Sequence, residues 1–270
     1  MADDLSLNDG HAIPALGFGL YKVAPEVTAD VIVAGVEAGY RLVDGAEFYH
    51  NEAQVGEGLR RVDRSRLLVT SKFWGEDEMS RDAVLRSFDA SERALGTGID
   101  IYMIHWPRPK RDSYVAVWRA LVELRDAGRV RTIGVSNFTA EHLARVVAET
   151  GVVPAINQVE SHPWLQQHDL RAFHAEHGIV TQAWSPLGRG RVLADETIGA
   201  IAARHGVSPA QVIIAWHLQL GGGLIPKSSN PERLRSNLDV GAVTLSEDEL
   251  AQIAALETGE RTGTHPDERN

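Results

Sequence analysis

Four side chains with acid–base chemistry lie at or near the ends of short apolar segments. Asp44, Lys72 and His105 each close such a segment, and Tyr49 follows Asp44 after four intervening residues. A tyrosine titrates near pH ~10, and we expect the Lys72 ammonium to lower the Tyr49 pKa by favouring the phenolate. Asp44 would keep Lys72 charged, and His105 could orient a carbonyl oxygen. Together they predict a phenol that gives its proton to a developing alkoxide.

Each of these residues also has a purely structural interpretation. A lone Asp or Lys at a strand end is usually a satisfied polar group, and His105 could be a core histidine. The chemical interpretation is favoured because the set falls on three successive predicted strands. A barrel hydrolase that uses Asp44 or Glu160 as a catalytic carboxylate is another possibility, but it leaves Lys72 unexplained.

The elements that must position these residues alternate along the chain. Eight short segments are typical of buried strands: 16–20, 41–44, 67–72, 100–105, 132–136, 155–160, 179–184 and 223–227. Five segments between them have helical patterns with caps or glycine stops: 28–38, 81–95, 114–127, 139–150 and 210–220. This alternation predicts a single α/β domain over residues 1–270, a (β/α)8 TIM barrel. The pair Asp9-Gly10 predicts an N-terminal β-hairpin, which would close the barrel bottom.

Polar residues recur at the carboxyl ends of the predicted strands, where barrels of this kind carry their chemistry. They are Asp44, Lys72, His105, Ser136, Asn137, Gln158, Glu160, Trp184, Lys227 and Ser228. Randomly placed polar residues would not repeat this phase. We therefore expect these side chains to meet around one mouth.

Composition narrows the classes of protein further. The chain has 270 residues, no cysteine and a formal charge of −10. Missing thiols exclude disulfide bonds, thiolate catalysis and cysteine-based zinc or iron–sulfur sites. The negative charge argues against nucleic acid or an anionic membrane as a partner. Without a signal-peptide pattern or an apolar run of about 20 residues, we expect a cytoplasmic monomer with no membrane or nucleic-acid partner.

Five motifs, in order, resemble those of the aldo-keto reductase family. They are DGAEFYHNE at 44–52, VTSKFW at 69–74, IYMIHWP at 101–107, IGVSNF at 133–138 and IPKS at 225–228. The resemblance covers nearly the whole chain. It is strongest to the bacterial branch of small reductases that act on diketones, ketoaldehydes and keto-sugar acids, the 2,5-diketo-D-gluconate reductase-like branch.

The resemblance implies reduction of aldehydes and ketones to alcohols by hydride transfer from NADPH, with NADH a weaker donor. Tyr49 would be the general acid, Asp44 and Lys72 would tune it, and His105 would position the substrate oxygen. The implied cofactor-binding residues are Gly19, Leu20, Tyr21, Asp44, Ser136, Asn137, Gln158, Trp184, Ser185, Leu187, Gly188, Lys227, Ser228, Ser229, Arg233 and Asn237. The implied substrate-binding residues are Tyr21, Phe48, Trp74, His105 and Trp106.

The resemblance also implies an adenosine end near strand 223–227. NADPH carries an extra phosphate there, and we expect Lys227 and Arg233 to bind it with charge-assisted hydrogen bonds. Free backbone N–H groups near Asn230 and Pro231 would assist. Pairing of Arg233 with Glu232 would weaken the effect.

Two expectations concern the pocket and the histidines. Aromatic walls suit small carbonyl compounds, and the short segment after Glu260 predicts little covering of the pocket and broad specificity. His162, His168, His174 and His177 match no zinc motif, so we expect no metal and interpret these histidines as a polar helix face.

One alternative to an enzyme stays open. A nicotinamide-binding barrel could sense redox state with little turnover. The intact set of Asp44, Tyr49, Lys72 and His105 disfavours it, because a pure binder could lose Tyr49.

Overall fold

The computed structural model describes residues 3–241 and 243–269 of the chain. A two-stranded hairpin, β1 (Asp4–Ser6) and β2 (Ala12–Pro14), precedes a sheet of eight parallel strands in which each strand pairs with the next along the chain. The eight are β3 (Phe18–Gly19), β4 (Leu42–Asp44), β5 (Leu68–Phe73), β6 (Ile101–Ile104), β7 (Thr132–Ser136), β8 (Ile156–Glu160), β9 (Val180–Trp184) and β10 (Gly223–Leu224). Bridges from Leu16 to Leu224 and from Gly19 to Lys227 join the last strand to the first. The predicted (β/α)8 TIM barrel is confirmed.

Helices connect successive barrel strands. The described residues form α1 (Pro25–Ala38), α2 (Glu52–Leu59), α3 (Arg81–Leu95), α4 (Tyr114–Asp126), α5 (Ala140–Thr150), α6 (His168–His177), α7 (Glu196–His205), α8 (Pro209–Gln219), α9 (Pro231–Leu238) and α10 (Glu247–Ala254). The five predicted helical segments correspond to α1, α3, α4, α5 and α8. The other helices have only 8 to 10 residues, too few turns for a clear apolar period. Within the described ranges, no helix has the length and apolarity that a bilayer span requires.

Side-chain caps explain where three of the five predicted helices begin. Ser80, Thr139 and Ser208 each accept a hydrogen bond from a backbone N–H in the first turn of α3, α5 and α8. Such a cap satisfies one of the N–H groups that a helix leaves unpaired at its start. These helices then turn the chain back along the outside of the barrel.

The hairpin lies across the end of the barrel where the strands begin. Asn8 Nδ2 donates to the Pro154 carbonyl at 3.1 Å, just before β8. Leu7 and Ile13 pack in one apolar cluster with residues from the starts of several strands, namely Leu42, Ile101, Met103, Ala155 and Ile156. The hairpin therefore covers the barrel bottom, as predicted, and leaves the carboxyl ends of the strands free to form the mouth.

Candidate active site

The predicted acid–base residues converge at the mouth. Lys72, fully buried on β5, donates from Nζ to the two carboxylate oxygens of Asp44 at 2.8 and 2.7 Å. The same ammonium donates to the Gly45 carbonyl at 2.8 Å and to the Tyr49 hydroxyl at 3.4 Å. Asp44 ends β4, and Tyr49 lies in the loop after it. Two adjacent strands thus bring three functional groups to one point.

The electrostatics of this group differ from expectation. Burial raises the pKa of Tyr49 well above its ordinary value of 10.0, and the charges of Asp44 and Tyr21 raise it further. The predicted lowering of this pKa is wrong for this arrangement, because burial and the Asp44 charge outweigh the Lys72 ammonium, which Asp44 holds at hydrogen-bonding distance. Burial also lowers the pKa of Lys72, while the Asp44 carboxylate opposes that shift. Tyr49 therefore holds its proton at neutral pH, as a proton donor must.

His105 faces the same cavity as a neutral imidazole. Its ring meets that of Tyr49 edge-on, with centroids 5.8 Å apart, and its Nδ1 has no partner among the described residues. Burial lowers the pKa of His105 well below 6.5, and the positive charges of Lys72 and Arg269 lower it further. A neutral imidazole donates one hydrogen bond and accepts another. His105 can therefore donate to a substrate oxygen while Tyr49 remains the acid.

Amide and hydroxyl groups at the ends of β7 and β9 form a network beside this centre. Trp184 Nε1 donates to Asn137 Oδ1 at 2.8 Å, which fixes the plane of the indole. Asn137 Nδ2 donates to the His105 carbonyl at 2.9 Å and to Ser136 Oγ at 3.1 Å. Asn137 does not cap the next helix, since Thr139 occupies the cap. Asn137 instead ties three strand ends together.

Gln158 extends the network across the barrel. Its Nε2 donates to Asp44 Oδ1 and to Gln182 Oε1, both at 2.8 Å. Gln182 is not among the predicted site residues. The Oε1 atom of Gln158 accepts no hydrogen bond from the part of the chain that the structure describes, so Gln158 keeps an acceptor for a ligand. A nicotinamide needs an aromatic face and partners for its carboxamide, and this acceptor beside the Trp184 indole fits that group.

A cavity of about 240 Å³ opens over these side chains. Fourteen predicted residues line it: Gly19, Tyr21, Asp44, Phe48, Tyr49, Trp74, His105, Trp106, Ser136, Asn137, Gln158, Trp184, Ser185 and Lys227. Five further lining residues were not predicted from the sequence: Arg189, Ile225, Gly263, Thr264 and Arg269. The cavity thus brings together the predicted catalytic, substrate and nicotinamide residues, and adds a contribution from the C-terminal segment.

Other predicted cofactor residues lie away from this cavity. Leu20 is fully buried in the main apolar core, so its side chain does not face a ligand, contrary to the prediction. Leu187 packs against a second apolar cluster, and Gly188 beside it is buried. Of the remaining four, Ser228 and Ser229 precede α9, Arg233 lies in its first turn and Asn237 near its end. Ser228 and Asn237 are buried, while Ser229 and Arg233 are exposed.

The start of α9 has fewer free N–H groups than expected. The Asn230 side chain accepts a hydrogen bond from Arg233 N at 3.0 Å, and Asn230 N donates to Ser228 Oγ at 3.1 Å. Pro231 has no N–H to offer. Among the described ion pairs, none joins Arg233 to Glu232. The exposed cation at Arg233 therefore stays available, but the backbone N–H groups of Asn230 and Arg233 do not.

The predicted substrate residues form an aromatic wall. The Phe48 and Trp74 rings stack with centroids 3.8 Å apart, and Trp74 also meets His105 edge-on at 5.0 Å. Tyr21 lies 5.2 Å from the Tyr49 ring and is 40 % exposed at the rim. Apolar surface therefore lies directly beside the polar centre, as small carbonyl compounds require.

The segment after Glu260 covers the mouth more than expected. Glu160, buried at the end of β8, accepts hydrogen bonds from Thr262 N at 2.6 Å and from Gly263 N at 3.1 Å. Gly263 lies so close to Trp184 that a Cβ atom would come within 2.5 Å of the indole. The prediction of little covering is therefore wrong. Because its carboxylate holds this segment, Glu160 does not serve as a free catalytic carboxylate.

The histidines after β8 are not one polar helix face, as the sequence analysis interpreted them. His174 is buried between Asn157 Nδ2 at 2.9 Å and Thr181 Oγ1 at 2.7 Å, whereas His168 on the same helix is exposed. His162 is buried against Glu160. In residues 3–241 and 243–269, no group of three or more His, Asp or Glu side chains is placed to hold a metal ion.

Comparison with known proteins agrees with this geometry. The family model described as "Aldo/keto reductase family" matches residues 15–258. The chain is 41% identical to methylglyoxal reductase DkgA of Escherichia coli over 98% of this chain and 97% of that protein. It is 43% identical to 2,5-diketo-D-gluconic acid reductase B of a Corynebacterium species, over 97% and 96%. A crystal structure of a Gox0644 mutant in complex with NADPH superposes with a TM-score of 0.95 at 47% identity, over 98% of each chain.

Proposed function

The chain belongs to the aldo/keto reductase family, and from that premise we propose that it reduces aldehydes and ketones to alcohols with NADPH. The observation that carries the proposal is the contact of Lys72 Nζ with the Tyr49 hydroxyl in a cavity that His105 also lines. The neutral amides beside Trp184 fit the nicotinamide. That the chain is a single domain and acts as a cytoplasmic monomer stays a prediction from the sequence.

The proposed chemistry divides between the cofactor and this chain. NADPH supplies the hydride, which none of the side chains can provide. His105 donates a hydrogen bond to the substrate oxygen and places the carbonyl group against Tyr49. As the carbonyl carbon gains the hydride, the oxygen takes the proton of the Tyr49 hydroxyl. Lys72, 3.4 Å away, then stabilises the phenolate that remains.

The proposed cofactor contacts follow the cavity from its floor to α9. Trp184, Ser136, Asn137 and Gln158 would hold the nicotinamide, with the indole against the ring and the Gln158 oxygen accepting from the carboxamide. The loop of Ser185, Leu187 and Gly188 would cover the pyrophosphate. The adenosine end would contact Lys227, Ser228, Ser229, Arg233 and Asn237. Gly19 and Tyr21 would border the nicotinamide.

The proposed substrates are small dicarbonyls, ketoaldehydes, keto-sugar acids and aromatic aldehydes. The stacked Phe48 and Trp74 rings support compounds with an apolar or planar body. The relatives named as methylglyoxal and diketogluconic acid reductases support the small oxidised carbonyl compounds.

One assay tests the proposal. We expect loss of NADPH absorbance when the protein is mixed with methylglyoxal, a diketone or an aromatic aldehyde. In parallel, NADPH should quench tryptophan fluorescence, and Trp184→Ala should reduce this quench. A quench without turnover of any compound would favour the redox-sensing binder. If NADPH caused no quench and no compound were turned over, the proposal would be overturned.

A further inference from the structure

An arginine that the sequence analysis did not consider lies in the wall of the cavity. The Arg269 guanidinium carbon is 4.8 Å from the Trp74 ring centre and 5.8 Å from that of Trp106. Trp74 also contacts His105 edge-on. A single indole therefore separates the Arg269 cation from the imidazole that faces the reacting oxygen.

The position of Arg269 is fixed from two sides. Glu160 holds the segment at Thr262 and Gly263 by hydrogen bonds. Asp267 lies 3.5 Å from His142 Nε2 on α5. The cation thus sits at the end of a segment that is anchored twice to the barrel.

Neither arginine at this wall, Arg269 or Arg108, forms an ion pair within the described part of the chain. None of the described ion pairs includes Arg269. Arg108, only 2 % exposed, lies 4.9 Å from the same Trp74 ring, and its Nε and Nη2 have no partner among the described residues. The exposed Glu76 acts on Arg108 through its charge, and its carboxylate accepts a hydrogen bond from Trp74 Nε1 at 2.9 Å. Buried cations are normally paired. Buried Arg108 and half-buried Arg269, both without an ion pair, therefore indicate that this wall can take an anion.

The shape of the guanidinium favours one kind of anion. A guanidinium group stacked on an indole directs its N–H groups outward in its own plane, and a planar carboxylate matches that edge with two parallel hydrogen bonds. The net charge of −10 repels anions at long range. Recognition must therefore come from local cations. Of those that line the cavity, Arg189, Lys227 and Arg269, it is Arg269 that lies against the Trp74 and Trp106 rings of the predicted substrate wall.

We propose that Arg269 is a specificity-determining residue that binds the carboxylate of the carbonyl substrate, with Arg108 adding positive potential behind Trp74. The enzyme would then prefer oxo acids, which carry an aldehyde or ketone and a carboxylate, over neutral carbonyl compounds of the same shape. This inference rests on the proposed carbonyl reductase function.

The test compares a matched pair of aldehydes, 4-carboxybenzaldehyde and methyl 4-formylbenzoate, in the full chain with no residues added after Asn270. The two differ in the charge that Arg269 would bind, and in one methyl group. Wild type should show a higher kcat/KM for the acid, and added salt should reduce the difference. Arg269→Met keeps an unbranched apolar stem on the indoles. It should lower kcat/KM for the acid about 10–100-fold, chiefly through KM, and leave the ester nearly unchanged.

Two further variants sharpen the test. Arg269→Lys should recover part of the preference for the acid, because it restores the charge without the planar edge. Arg93→Met removes an equal charge from the exposed side of α3, and it should leave kcat/KM unchanged for both the acid and the ester.

The outcomes separate the two proposals. If Arg269→Met lowered kcat/KM equally for the acid and the ester, the inference would be overturned and Arg269 would be assigned to packing of the segment. A wild-type preference for the ester would also overturn it. If the protein reduced none of the three compounds, the two aldehydes and methylglyoxal, that result would contradict the carbonyl reductase function itself.

Discussion

The two ends of the barrel reach the same left-handed backbone conformation with different residues. At the bottom, α3 and α5 end on Gly96 and Gly151, with φ of 66° and 70°. At the mouth, the loops that follow barrel strands use some glycines, such as Gly75 and Gly188, but they also place eight residues with side chains at positive φ: Lys22, His50, Arg108, Asp112, Asn137, Gln167, Ser185 and Arg189. Glycine adopts this conformation without the penalty of about 1–2 kcal/mol that other residues incur. The difference indicates that the mouth retains side chains at a cost in stability.

Asn137 shows what such a side chain provides. At φ 64°, it accepts from Trp184 and donates to the His105 carbonyl. A glycine there would relax the backbone but would release both strand ends. At the bottom of the barrel, a side chain at the Gly151 position would contact nothing through its Cβ atom, which would lie in open space. Strain at the mouth thus accompanies positioning, as functional sites often show.

The largest effect we predict comes from making the same substitution, tyrosine to phenylalanine, at each end of the barrel. Tyr49→Phe removes the proton donor at the mouth and should lower kcat about 10²–10⁴-fold, roughly 3–5 kcal/mol. The thermal midpoint should change little, since the described structure gives the Tyr49 hydroxyl only one long hydrogen bond, from Lys72.

Tyr40→Phe is the matched control at the bottom. Tyr40 precedes β4 and is buried, and its hydroxyl has no partner within the described ranges. Removing that hydroxyl should leave kcat unchanged and should not lower stability. If Tyr49→Phe kept most of the wild-type rate, the proton would come from another group. Steady-state reduction of methylglyoxal checks both variants.

The second prediction concerns His174, a histidine buried in the wall of the barrel. Burial lowers the pKa of His174 from 6.5 to about 3, with Arg171 and His177 adding to the shift. Below pH 6.5 the unfolded chain takes up a proton at this position and the folded chain does not until about pH 3. Stability should therefore fall as pH decreases, by about 2 kcal/mol between pH 8 and pH 5 for this residue.

His174→Gln tests that assignment, because it keeps hydrogen-bonding groups near Asn157 and Thr181 but does not titrate. Urea unfolding should show lower stability than wild type at pH 8 and a pH dependence that is flatter by about 2 kcal/mol. The rate at neutral pH should be unaffected. An unchanged pH dependence would contradict the assignment to His174.

The same two regions show how far the sequence could predict the molecule. The barrel and the meeting of Asp44, Tyr49 and Lys72 follow from a local rule, since parallel strands put their carboxyl ends at one edge. The direction of the Tyr49 pKa did not follow, because it depends first on how deeply the folded chain buries the phenol and then on the nearby Asp44 charge. Depth of burial is not encoded in the spacing of the four residues.

The C-terminal segment could not be predicted for another reason. The contact between Glu160 and Thr262 joins residues 102 positions apart, and the segment has no strand or long helix whose period would reveal it. For the same reason, the position of Arg269 in the cavity wall could not be predicted from the sequence. His174 was misread because α6 is only 10 residues long and polar on most sides. Its buried face is set by packing against β8 and β9.

The third prediction concerns cofactor choice at the mouth's outer edge. Arg233→Ala should raise the Kd for NADPH about 10–100-fold and leave the Kd for NADH nearly unchanged, because one charge-assisted hydrogen bond to the extra phosphate is lost. Arg235→Ala, equally exposed on α9, should change neither. Fluorescence titration at two salt concentrations checks this, and the NADPH preference should fall as salt rises. Equal loss of both cofactors would show that Arg233 does not contact the phosphate.

The smallest effect tests the backbone comparison directly. Gly151→Ala at the bottom adds a Cβ atom that contacts nothing, so it should cost about 1 kcal/mol through left-handed strain alone. His50→Gly at the mouth should gain up to about 1 kcal/mol, because His50 is exposed at φ 54° and its side chain forms no hydrogen bond with the described residues. The thermal midpoint should move about 2–4 °C per kcal/mol, down for Gly151→Ala and up for His50→Gly. The reductase rate should stay unchanged in Gly151→Ala, since that residue is remote from the cavity. Two shifts of the same sign would refute the claim that the mouth, and not the bottom, carries the strain.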